Sequence, residues 1–560
     1  MNQYPSGSRA ISPRQPGAVL ALLLALAAPA LAKPPTLDHL FPAGASRGST
    51  IEVEASGQFE RWPARGWASS PGISIRPEGE KGKLSVSVAA DVPPGIYWIR
   101  LFDDEGATAP RRFFVGTRPE VAEAEPNDEP SRAQRVEATG VVVNGRLAKT
   151  GDVDGFVVAL KAGQTLVASM EANRRLGSPM DGVLQVASPD GFVLAQNDDE
   201  HDRDPQIVFT APVDGDYLVR AFAFPATQDS SIRFAGGPAF IYRLTITAGG
   251  LVDHTFPLAV SADGPASVEA VGWNLPGPSR RLEVGRPGEG AGPIVVEDPG
   301  MAEPAEVRVV PGPSIVEARP DDPTGAQPIV LPAFVSGHVD PPGDVDTFRF
   351  EARKGDRLVF RVESRSIGQA LDAVLRVADA SGATLAEVDD SGQGPDPEVR
   401  FTAPGDGEFR VSVRDLNGHG GPRFAYLLEA SPPRPDFDLS LKADQFALTA
   451  GATTEIVVDV GRREGFAEPI EVGLADHFDG VIAPPVTSTP TGPSAKSVTL
   501  RLAACDCIRP GPIRIVGTLA DGRSRPATAS ASASAGPIEA AWLSVARPAP
   551  APDKPAEKAK

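Results

Sequence analysis

Cysteine and histidine are scarce in this sequence of 560 residues. Two cysteines are too few for the disulfide framework that stabilises small secreted domains. They also cannot complete a four-ligand zinc site by themselves. The six histidines are scattered along the chain, and none has the HExxH spacing of a metalloprotease. The composition therefore argues against a cysteine-rich scaffold and against a zinc peptidase.

The two cysteines, Cys505 and Cys507, follow the alternating stretch SVTLRLAA. Residues two apart in a strand lie on the same face, and a disulfide between such residues is usually strained. Two alternatives remain open at this point: a free pair of small side chains on a strand, and an unusual local bridge. The pattern favours the free pair.

Long apolar segments are also missing. The run Ala18–Ala28 contains eleven residues, which is too short to cross a bilayer as a helix. Arg9 and Arg14 precede this run, and the small residues Ala30–Ala32 follow it, a pattern typical of a cleaved signal peptide. We expect residues 1–32 to be that signal peptide. The rest of the chain, which has no transmembrane segment, should be exported: secreted, periplasmic or at the cell surface.

Basic residues are outnumbered by acidic ones. The 54 lysines and arginines against 73 aspartates and glutamates give a formal net charge of −19. A surface of this charge repels nucleic acid and anionic lipid, whereas it attracts cations. Nucleic acid is therefore not expected as a partner, and an extracellular protein or a polysaccharide is compatible with the sequence.

Glycine and proline, by contrast, are abundant, with 57 and 58 residues, while 41% of the chain is apolar. Apolar residues at this level can build a core, and the many turn formers favour short strands over long helices. Alternating stretches separated by turn residues recur throughout the chain. The sequence predicts an all-β protein, a string of antiparallel jelly-roll or immunoglobulin-like β-sandwiches with very little helix.

A long internal repeat organises the middle of the chain. The first copy, 118–249, contains EAEPND, GDVDGF, QNDD and FTAPVDGDYLVR in this order. The second copy, 313–432, contains EARPDD, GDVDTF, EVDD and FTAPGDGEFRVS in the same order and with similar spacing. Two copies of one sandwich domain account for this pattern.

Smaller modules flank these copies. The stretch LDHLFPAG in 33–117 has a counterpart, VDHTFPLA, in 250–312, and an alternating strand follows each of them. A further β-sandwich is expected over 433–546. The last segment, 547–560, is rich in proline, alanine and lysine and is expected to be a disordered tail.

On these motifs, the two large copies resemble bacterial pre-peptidase C-terminal (PPC) domains, which are β-sandwich modules of exported proteins. The module 33–117 is similar to IPT/TIG-type immunoglobulin-like domains through FPAGASRGSTIEVEASG and PPGIYWIRL. The segment 250–312 resembles a short or divergent relative of that module, and 433–546 resembles bacterial immunoglobulin-like repeats.

Acidic residues of the first copy form a candidate metal site. Alternate residues of an extended segment share a side, so EAEPND and GDVDGF each project oxygen ligands in one direction. Converging carboxylates repel one another unless a cation binds, and calcium accepts a mixed set of carboxylate and amide oxygens. The resemblance to PPC domains that bind calcium implies the same set. Its members are Glu123, Glu125, Asn127, Asp128, Asp152 and Asp154. The alternative is that these residues only cap loops through Asx hydrogen bonds.

The second copy offers a comparable but altered set. Arg319 stands where the first copy has Glu125, and its guanidinium is an alternative to metal as the neutralising charge. The matching acidic residues are Glu317, Asp321, Asp322, Asp344 and Asp346. The first copy is therefore the better candidate for calcium.

We find no catalytic motif in the sequence. The pentapeptide Gly44–Gly48 fits G-x-S-x-G, but an alternating strand follows it instead of the helix that a nucleophile elbow requires. Trp62 and Trp67 lie in a turn-rich segment, where they either bind a ligand or pack at the end of the sandwich, and we favour packing.

The sequence therefore predicts a non-catalytic, exported protein for extracellular binding, adhesion or scaffolding, with calcium-stabilised PPC-like domains. The alternative is an accessory or targeting subunit of a secreted peptidase or other hydrolase, or a hydrolase with an unrecognised site.

Overall fold

The computed structural model describes residues 33–227, 233–275, 280–287, 293–296, 304–318, 325–392, 394–449, 451–505, 509–530 and 537–546. The predicted signal peptide and the predicted tail 547–560 lie outside this part of the chain. Strands dominate it, and the prediction of an all-β fold with very little helix is confirmed. The helical elements are α1 (Asn173–Leu176) and the 3₁₀ turns Pro130–Arg132, Arg365–Ile367 and Pro493–Ala495.

Within the described residues, no helix is both long enough and apolar enough to span a membrane.

The first module is a sandwich of two four-stranded sheets, with the orders β1-β3-β6-β5 and β2-β8-β7-β4. Its strands are β1 (His39–Phe41), β2 (Gly44–Ser46), β3 (Thr50–Ser56), β4 (Arg65–Ala68), β5 (Ile73–Pro77), β6 (Lys83–Val88), β7 (Gly95–Phe102) and β8 (Arg111–Gly116). Alternate residues such as Val53, Ile99 and Phe113 point inward and are fully buried, which is why the strands alternate in sequence.

The first large repeat has two five-stranded sheets, β10-β12-β17-β14-β15 and β9-β11-β18-β13-β16. Its strands are β9 (Glu120–Ala122), β10 (Gln134–Val136), β11 (Val141–Arg146), β12 (Asp154–Leu160), β13 (Thr165–Glu171), β14 (Met180–Ala187), β15 (Val193–Asn197), β16 (Gln206–Thr210), β17 (Gly215–Pro225) and β18 (Ile241–Thr247). The core between the sheets includes Phe156, Leu184 and Leu244.

The segment after the first large repeat has described strands that pair in the same order as six strands of the first module. Its described strands form two three-stranded sheets, β19-β21-β22 and β20-β24-β23. These strands are β19 (Leu251–Phe256), β20 (Ala259–Ser261), β21 (Ala266–Trp273), β22 (Arg280–Val284), β23 (Ile294–Val296) and β24 (Ala305–Val310). Its core is correspondingly small and is built around residues such as Val268 and Val307.

The second large repeat has the same topology as the first, with sheets β26-β28-β33-β30-β31 and β25-β27-β34-β29-β32. Its strands are β25 (Ser314–Val316), β26 (Gln327–Pro328), β27 (Ala333–His338), β28 (Val345–Ala352), β29 (Arg357–Glu363), β30 (Ala373–Asp379), β31 (Thr384–Val388), β32 (Glu398–Thr402), β33 (Gly407–Asp415) and β34 (Ala425–Ser431). The two repeats correspond strand for strand, as the order of their motifs suggests.

The C-terminal module is a further sandwich, whose strands are connected in a single network of pairings. They are β35 (Asp436–Leu441), β36 (Gln445–Thr449), β37 (Thr453–Arg463), β38 (Ile470–Leu474), β39 (Val481–Ile482), β40 (Val486–Ser488), β41 (Ser497–Ala504), β42 (Gly511–Thr518), β43 (Ser524–Ser530), β44 (Pro537–Ile538) and β45 (Ala540–Ala546).

The first cysteine differs from its prediction. Cys505 follows β41 directly and is disulfide-bonded, so the prediction of a free thiol on a strand is wrong for this residue. The chain's other cysteine, Cys507, lies outside the described residues.

The chain folds back so that its first and last modules touch. Arg100 on β7 is 1% exposed, and its Nη2 lies 2.7 Å from Oδ2 of Asp444. The ring of Trp542 packs against the rings of Trp67 and Phe102, with centroids 5.9 and 4.7 Å apart. A buried ion pair and an aromatic cluster therefore join modules that are more than 300 residues apart in sequence.

Candidate metal centre

The acidic turn of the motif GDVDGF lies at one end of the first large repeat, where its two sheets approach each other. Glu123 follows β9 of one sheet, and Asp154 begins β12 of the other. Tyr242 on β18 reaches across from the first of these sheets. The topology thus brings together two acidic segments that are about 25 residues apart in sequence.

Three carboxylates converge at this point. One oxygen each from Glu125, Asp152 and Asp154 lie within 4.8 Å of one another. Asp152 and Asp154 are fully buried, while Glu125 is exposed. Like charges at this separation and burial repel strongly unless protons or a cation neutralise them.

The raised pKa values of Glu123 and Asp154 show this repulsion most clearly. Burial, and after it the charge of Glu123, raises the pKa of Asp154 to about 10. Burial, and after it the charges of Glu125 and Asp152, raises the pKa of Glu123 to about 7. The hydroxyl of Tyr242 donates a hydrogen bond to Oδ2 of Asp154. In the absence of a cation, the pair Glu123 and Asp154 therefore holds a proton at neutral pH.

Asn127 carries a neutral amide in the same segment as Glu125. Its side chain is fully buried, yet neither its Oδ1 nor its Nδ2 has a hydrogen-bond partner. Its backbone N–H donates to Oε2 of Glu125 at 3.0 Å, which holds the segment in a tight turn. A buried amide without a partner costs roughly 1–3 kcal/mol. Such an orphaned amide beside converging carboxylates fits the ligand set of calcium.

Asp128 lies at the edge of the acidic cluster and also bonds to the loop backbone. Its Oδ1 accepts a 3.2 Å hydrogen bond from the N–H of Val153, and its Oδ2 lies 3.5 Å from Nζ of Lys149. Burial acts to raise its pKa, but these two donors and a side-chain hydrogen bond with Asp152 together outweigh burial, and the pKa is lowered. Asp128 therefore caps the acidic turn and also contacts the cluster through Asp152, and its place in the predicted ligand set stays a prediction. Lys149 also lies 3.4 Å from Oδ1 of Asp152 and supplies part of the neutralising charge.

The second repeat keeps the inner part of this arrangement, which is the set of contacts among the buried tyrosine, the aspartate and the glutamate. The hydroxyl of Tyr426 donates to Oδ2 of Asp346, and the N–H of His338 donates to Oε2 of Glu317 at 2.9 Å. Burial, and after it the charge of Glu317, raises the pKa of Asp346 to about 9. The N–H of Arg146 makes the corresponding 2.8 Å hydrogen bond to Glu123 in the first repeat.

Among the described residues of the second repeat, no further carboxylates converge next to this inner part. Asp344 accepts a hydrogen bond from the adjacent N–H of Val345. In the described part of the chain, the only cluster of carboxylates with metal-binding geometry is the one in the first repeat. Arg319, Asp321 and Asp322 lie outside the described residues.

The two buried tyrosines and the glycines that accommodate them were not among the predicted site residues. A Cβ on Gly145 would lie 2.1 Å from the ring of Tyr242, and one on Gly337 would lie 2.4 Å from the ring of Tyr426. Each ring therefore needs the glycine on the neighbouring strand. The signal was present, because FIYRL and FAYLL occupy the same place in the two repeats.

Ser46, considered as a nucleophile, and Trp62, considered for ligand binding, both lie where they serve the fold. Ser46 ends β2 and is followed by a turn and the strand β3, so it does not lie on a nucleophile elbow. Trp62 packs edge-on against Phe59 and donates a hydrogen bond to the carbonyl of Glu78.

Comparison with known proteins assigns one part of this β-sandwich architecture. The bacterial pre-peptidase C-terminal domain family matches residues 344–415. These residues form a PPC domain, which confirms the predicted resemblance for that part of the second repeat.

Three individual proteins are similar over parts of the chain. A probable subtilase-type serine protease of Deinococcus radiodurans is 40% identical over 77 residues, which are 14% of this chain and 10% of that protein. The pre-peptidase C-terminal domain of collagenase from Bacillus anthracis is 17% identical, with a TM-score of 0.17, over 20% of this chain and 99% of that one. The Bacteroides ovatus protein SGBP-B, solved with a mixed-linkage heptasaccharide, is 12% identical, with a TM-score of 0.14, over 69% of this chain and 75% of that one.

Proposed function

We propose that this protein is a non-catalytic, exported, modular binding, adhesion or scaffold protein in which calcium stabilises the first large repeat. The observation that carries the proposal is the cluster of the exposed Glu125 with the buried Asp152 and Asp154, in the same segments as the orphaned amide of Asn127. The proposal is supported by the architecture, because several β-sandwich modules joined in one chain offer extended surfaces for binding. Export through a signal peptide at 1–32 would place these modules where millimolar calcium is available.

The first repeat is proposed to be a second PPC domain. Its ten strands follow the same order as those around the PPC domain at 344–415, and the tyrosine, aspartate and glutamate of the inner site recur in both. By the same reasoning from paired sheets and matching motifs, 33–117 is proposed to be an IPT/TIG-like module and 250–312 its shortened relative.

Calcium would be held by Glu125, Asp152 and Asp154, with Asn127 and Glu123 as further oxygen ligands. Bound there, the ion would supply positive charge that replaces the shared proton and relieves the repulsion among the acids. The affinity expected of such an extracellular site is roughly 10⁻⁴–10⁻³ M. Asp128 and Lys149 would remain a cap and a nearby counter-charge.

Calcium titration of the full chain tests this assignment. Thermal unfolding in calcium and in chelator should show one transition that rises by several degrees with calcium, because an ion that binds only the folded state stabilises it. Asp152→Asn should abolish this rise, whereas Asp344→Asn, at the corresponding place in the second repeat, should preserve it. Equal unfolding temperatures with and without calcium would refute the assignment.

A second candidate function is an accessory or targeting subunit of a secreted peptidase or other hydrolase. The 77-residue similarity to a subtilase-type protease favours it, because that protein joins a related segment to a protease. Pull-down of secreted extracellular material with and without chelator distinguishes the two. Calcium-dependent retention of matrix material supports the binding protein, and specific retention of a hydrolase supports the accessory subunit.

A further inference from the structure

A cleft of about 1010 Å³ lies between the first and the C-terminal modules. One wall is the outer face of the sheet that contains β4 and β7. The opposite wall is formed by loops at Asp476–Phe478, Pro512–Arg514 and Pro537–Ala540. Clefts of this size between domains are common places for ligand binding.

Two tryptophans line the first wall. Trp67 on β4 pairs with Arg100 on β7, and Trp98 lies two residues before Arg100, so these side chains share one face of the sheet. The intervening Ile99 points to the opposite face and is fully buried in the module's core. Both tryptophans are half-buried, and so each keeps some ring surface at the cleft.

Neighbouring side chains hold the two tryptophans in position. Trp67 packs edge-on against Trp542, with centroids 5.9 Å apart. The guanidinium of Arg112 lies 5.6 Å from the ring centroid of Trp98, and the backbone N–H of Trp98 donates to Oγ of Ser69. Fixed aromatic rings lose little conformational entropy on binding, which favours affinity.

The opposite wall is polar and balanced in charge. Nη2 of Arg514 lies 2.6 Å from Oδ2 of Asp476, and both side chains are more than half exposed. Glu539 and His477 lie beside this pair and are exposed as well. Arg514 neutralises Asp476 and Asp444 neutralises Arg100, so the cleft carries little net charge and is suited to a neutral ligand that offers many hydrogen-bonding groups.

We propose that this cleft binds a neutral oligosaccharide. The apolar faces of its pyranose rings would stack on Trp67 and Trp98, and its hydroxyl groups would bond to Asp476, Arg514 and Glu539. An extended, proline-rich peptide would also use aromatic rings, but its proline residues have no N–H groups to donate to Asp476 and Glu539. The proposal rests on the proposed binding function and gives it a site and a ligand class; it does not involve the acidic cluster of the first repeat.

The experiment uses the full chain in calcium-containing buffer. The probes are hexasaccharides of β-1,4-linked glucose, β-1,4-linked N-acetylglucosamine, β-1,4-linked xylose and α-1,4-linked glucose, together with a proline-rich peptide. Binding is followed by isothermal titration calorimetry and by quenching of tryptophan fluorescence. At least one hexasaccharide should bind with a Kd below a millimolar value and quench the fluorescence.

Variants assign the binding to the cleft. Trp98→Ala should weaken it at least tenfold, and Arg514→Ala should weaken it several-fold. Because Trp98 also contacts the C-terminal core, Arg514→Ala is the variant least able to disturb folding. Arg501→Ala is the matched control, since it removes a similar exposed arginine pair, with Glu455, from the same module outside the cleft.

Three outcomes would overturn the proposal: no hexasaccharide binds, a hexasaccharide binds equally well to Arg514→Ala and to the wild type, or only the peptide binds. If the wild-type chain still retains extracellular material in the pull-down while any of these holds, the binding function stands and only the site or the ligand class is wrong.

Discussion

The hydroxyl of Tyr426 donates a 2.7 Å hydrogen bond to Oδ2 of Asp346 in the interior of the second repeat. Tyr242 and Asp154 make the same bond in the first repeat. The buried aspartate and its phenol are thus common to both copies, while the converging Glu125 and Asp152 occur in the first copy only among the described residues. The common part stabilises the fold, and the added carboxylates create the candidate ion site.

Replacing either tyrosine by phenylalanine tests the common part. Tyr242→Phe and Tyr426→Phe should each lower the free energy of unfolding by about 1–3 kcal/mol, because a buried aspartate loses its donor. Tyr217→Phe is the control, since the hydroxyl of Tyr217 donates to a partly buried carbonyl, that of Val213, and its loss should cost about 1 kcal/mol or less. Chemical denaturation measures all three. Equal losses in all three variants would contradict a special role for the buried pairs.

The raised pKa of Glu123 predicts how stability depends on pH when calcium is removed. A carboxyl whose folded pKa, about 7, lies above its ordinary value of 4.5 binds a proton more tightly in the folded state. Its stabilising contribution is therefore complete below pH 4.5 and is lost as the pH rises through about 7. Glu123→Gln should remove this loss, so the stability difference between variant and wild type should change by about 1–3 kcal/mol between pH 4.5 and 8.

Calcium should reverse that behaviour in the wild type. The ion competes with the proton for the same oxygens, so calcium affinity should increase as the pH rises from 5 to 8. Denaturation in chelator and in calcium at several pH values measures both effects. A wild type whose pH dependence matches that of Glu123→Gln would show that Glu123 has an ordinary pKa.

The buried ion pair between Arg100 and Asp444 predicts how the first and last modules are held together. Arg100→Ala leaves a carboxylate that is 15% exposed without its partner, and such a loss costs about 3–5 kcal/mol. The contact between the modules should then open, and the radius of gyration measured by small-angle X-ray scattering should increase. Arg61→Ala is the control, because the exposed Arg61 pairs with Glu105 within one module, and such a pair is worth about 0–1 kcal/mol. An unchanged radius would show that the aromatic cluster alone holds the contact.

Space around the inner tyrosine gives a steric prediction. Gly145→Ala would place a Cβ 2.1 Å from the ring of Tyr242, which must then shift. Overpacking of this kind costs about 1–3 kcal/mol or more. Gly215→Ala, on a strand of the same repeat with no atom within 4 Å of the added Cβ, should have little effect. Similar unfolding temperatures for the two variants would mean that the ring moves freely.

Much of the fold followed from patterns that act over short distances. Alternation in stretches such as SVTLRLAA predicts strands because successive side chains of a strand face opposite sides, and β41 matches that stretch residue for residue. The repeated motifs predicted two large domains of one kind, and their strand orders agree. The local rule failed at Cys505, because whether a thiol pairs depends on where the chain goes after the strand ends.

What the sequence by itself determined is the set of strands, their repetition and the acidic segments that lie near the ends of strands, because each depends on neighbours within a few residues. Only the tertiary structure decided which of those acids meet: Glu125, Asp152 and Asp154 converge, and Asp128 joins their edge while it accepts a hydrogen bond from the N–H of Val153. It also decided that Arg100 meets Asp444 and that Trp67 meets Trp542. Contacts between residues far apart in sequence depend on how whole modules pack, and no local pattern of residues encodes that packing.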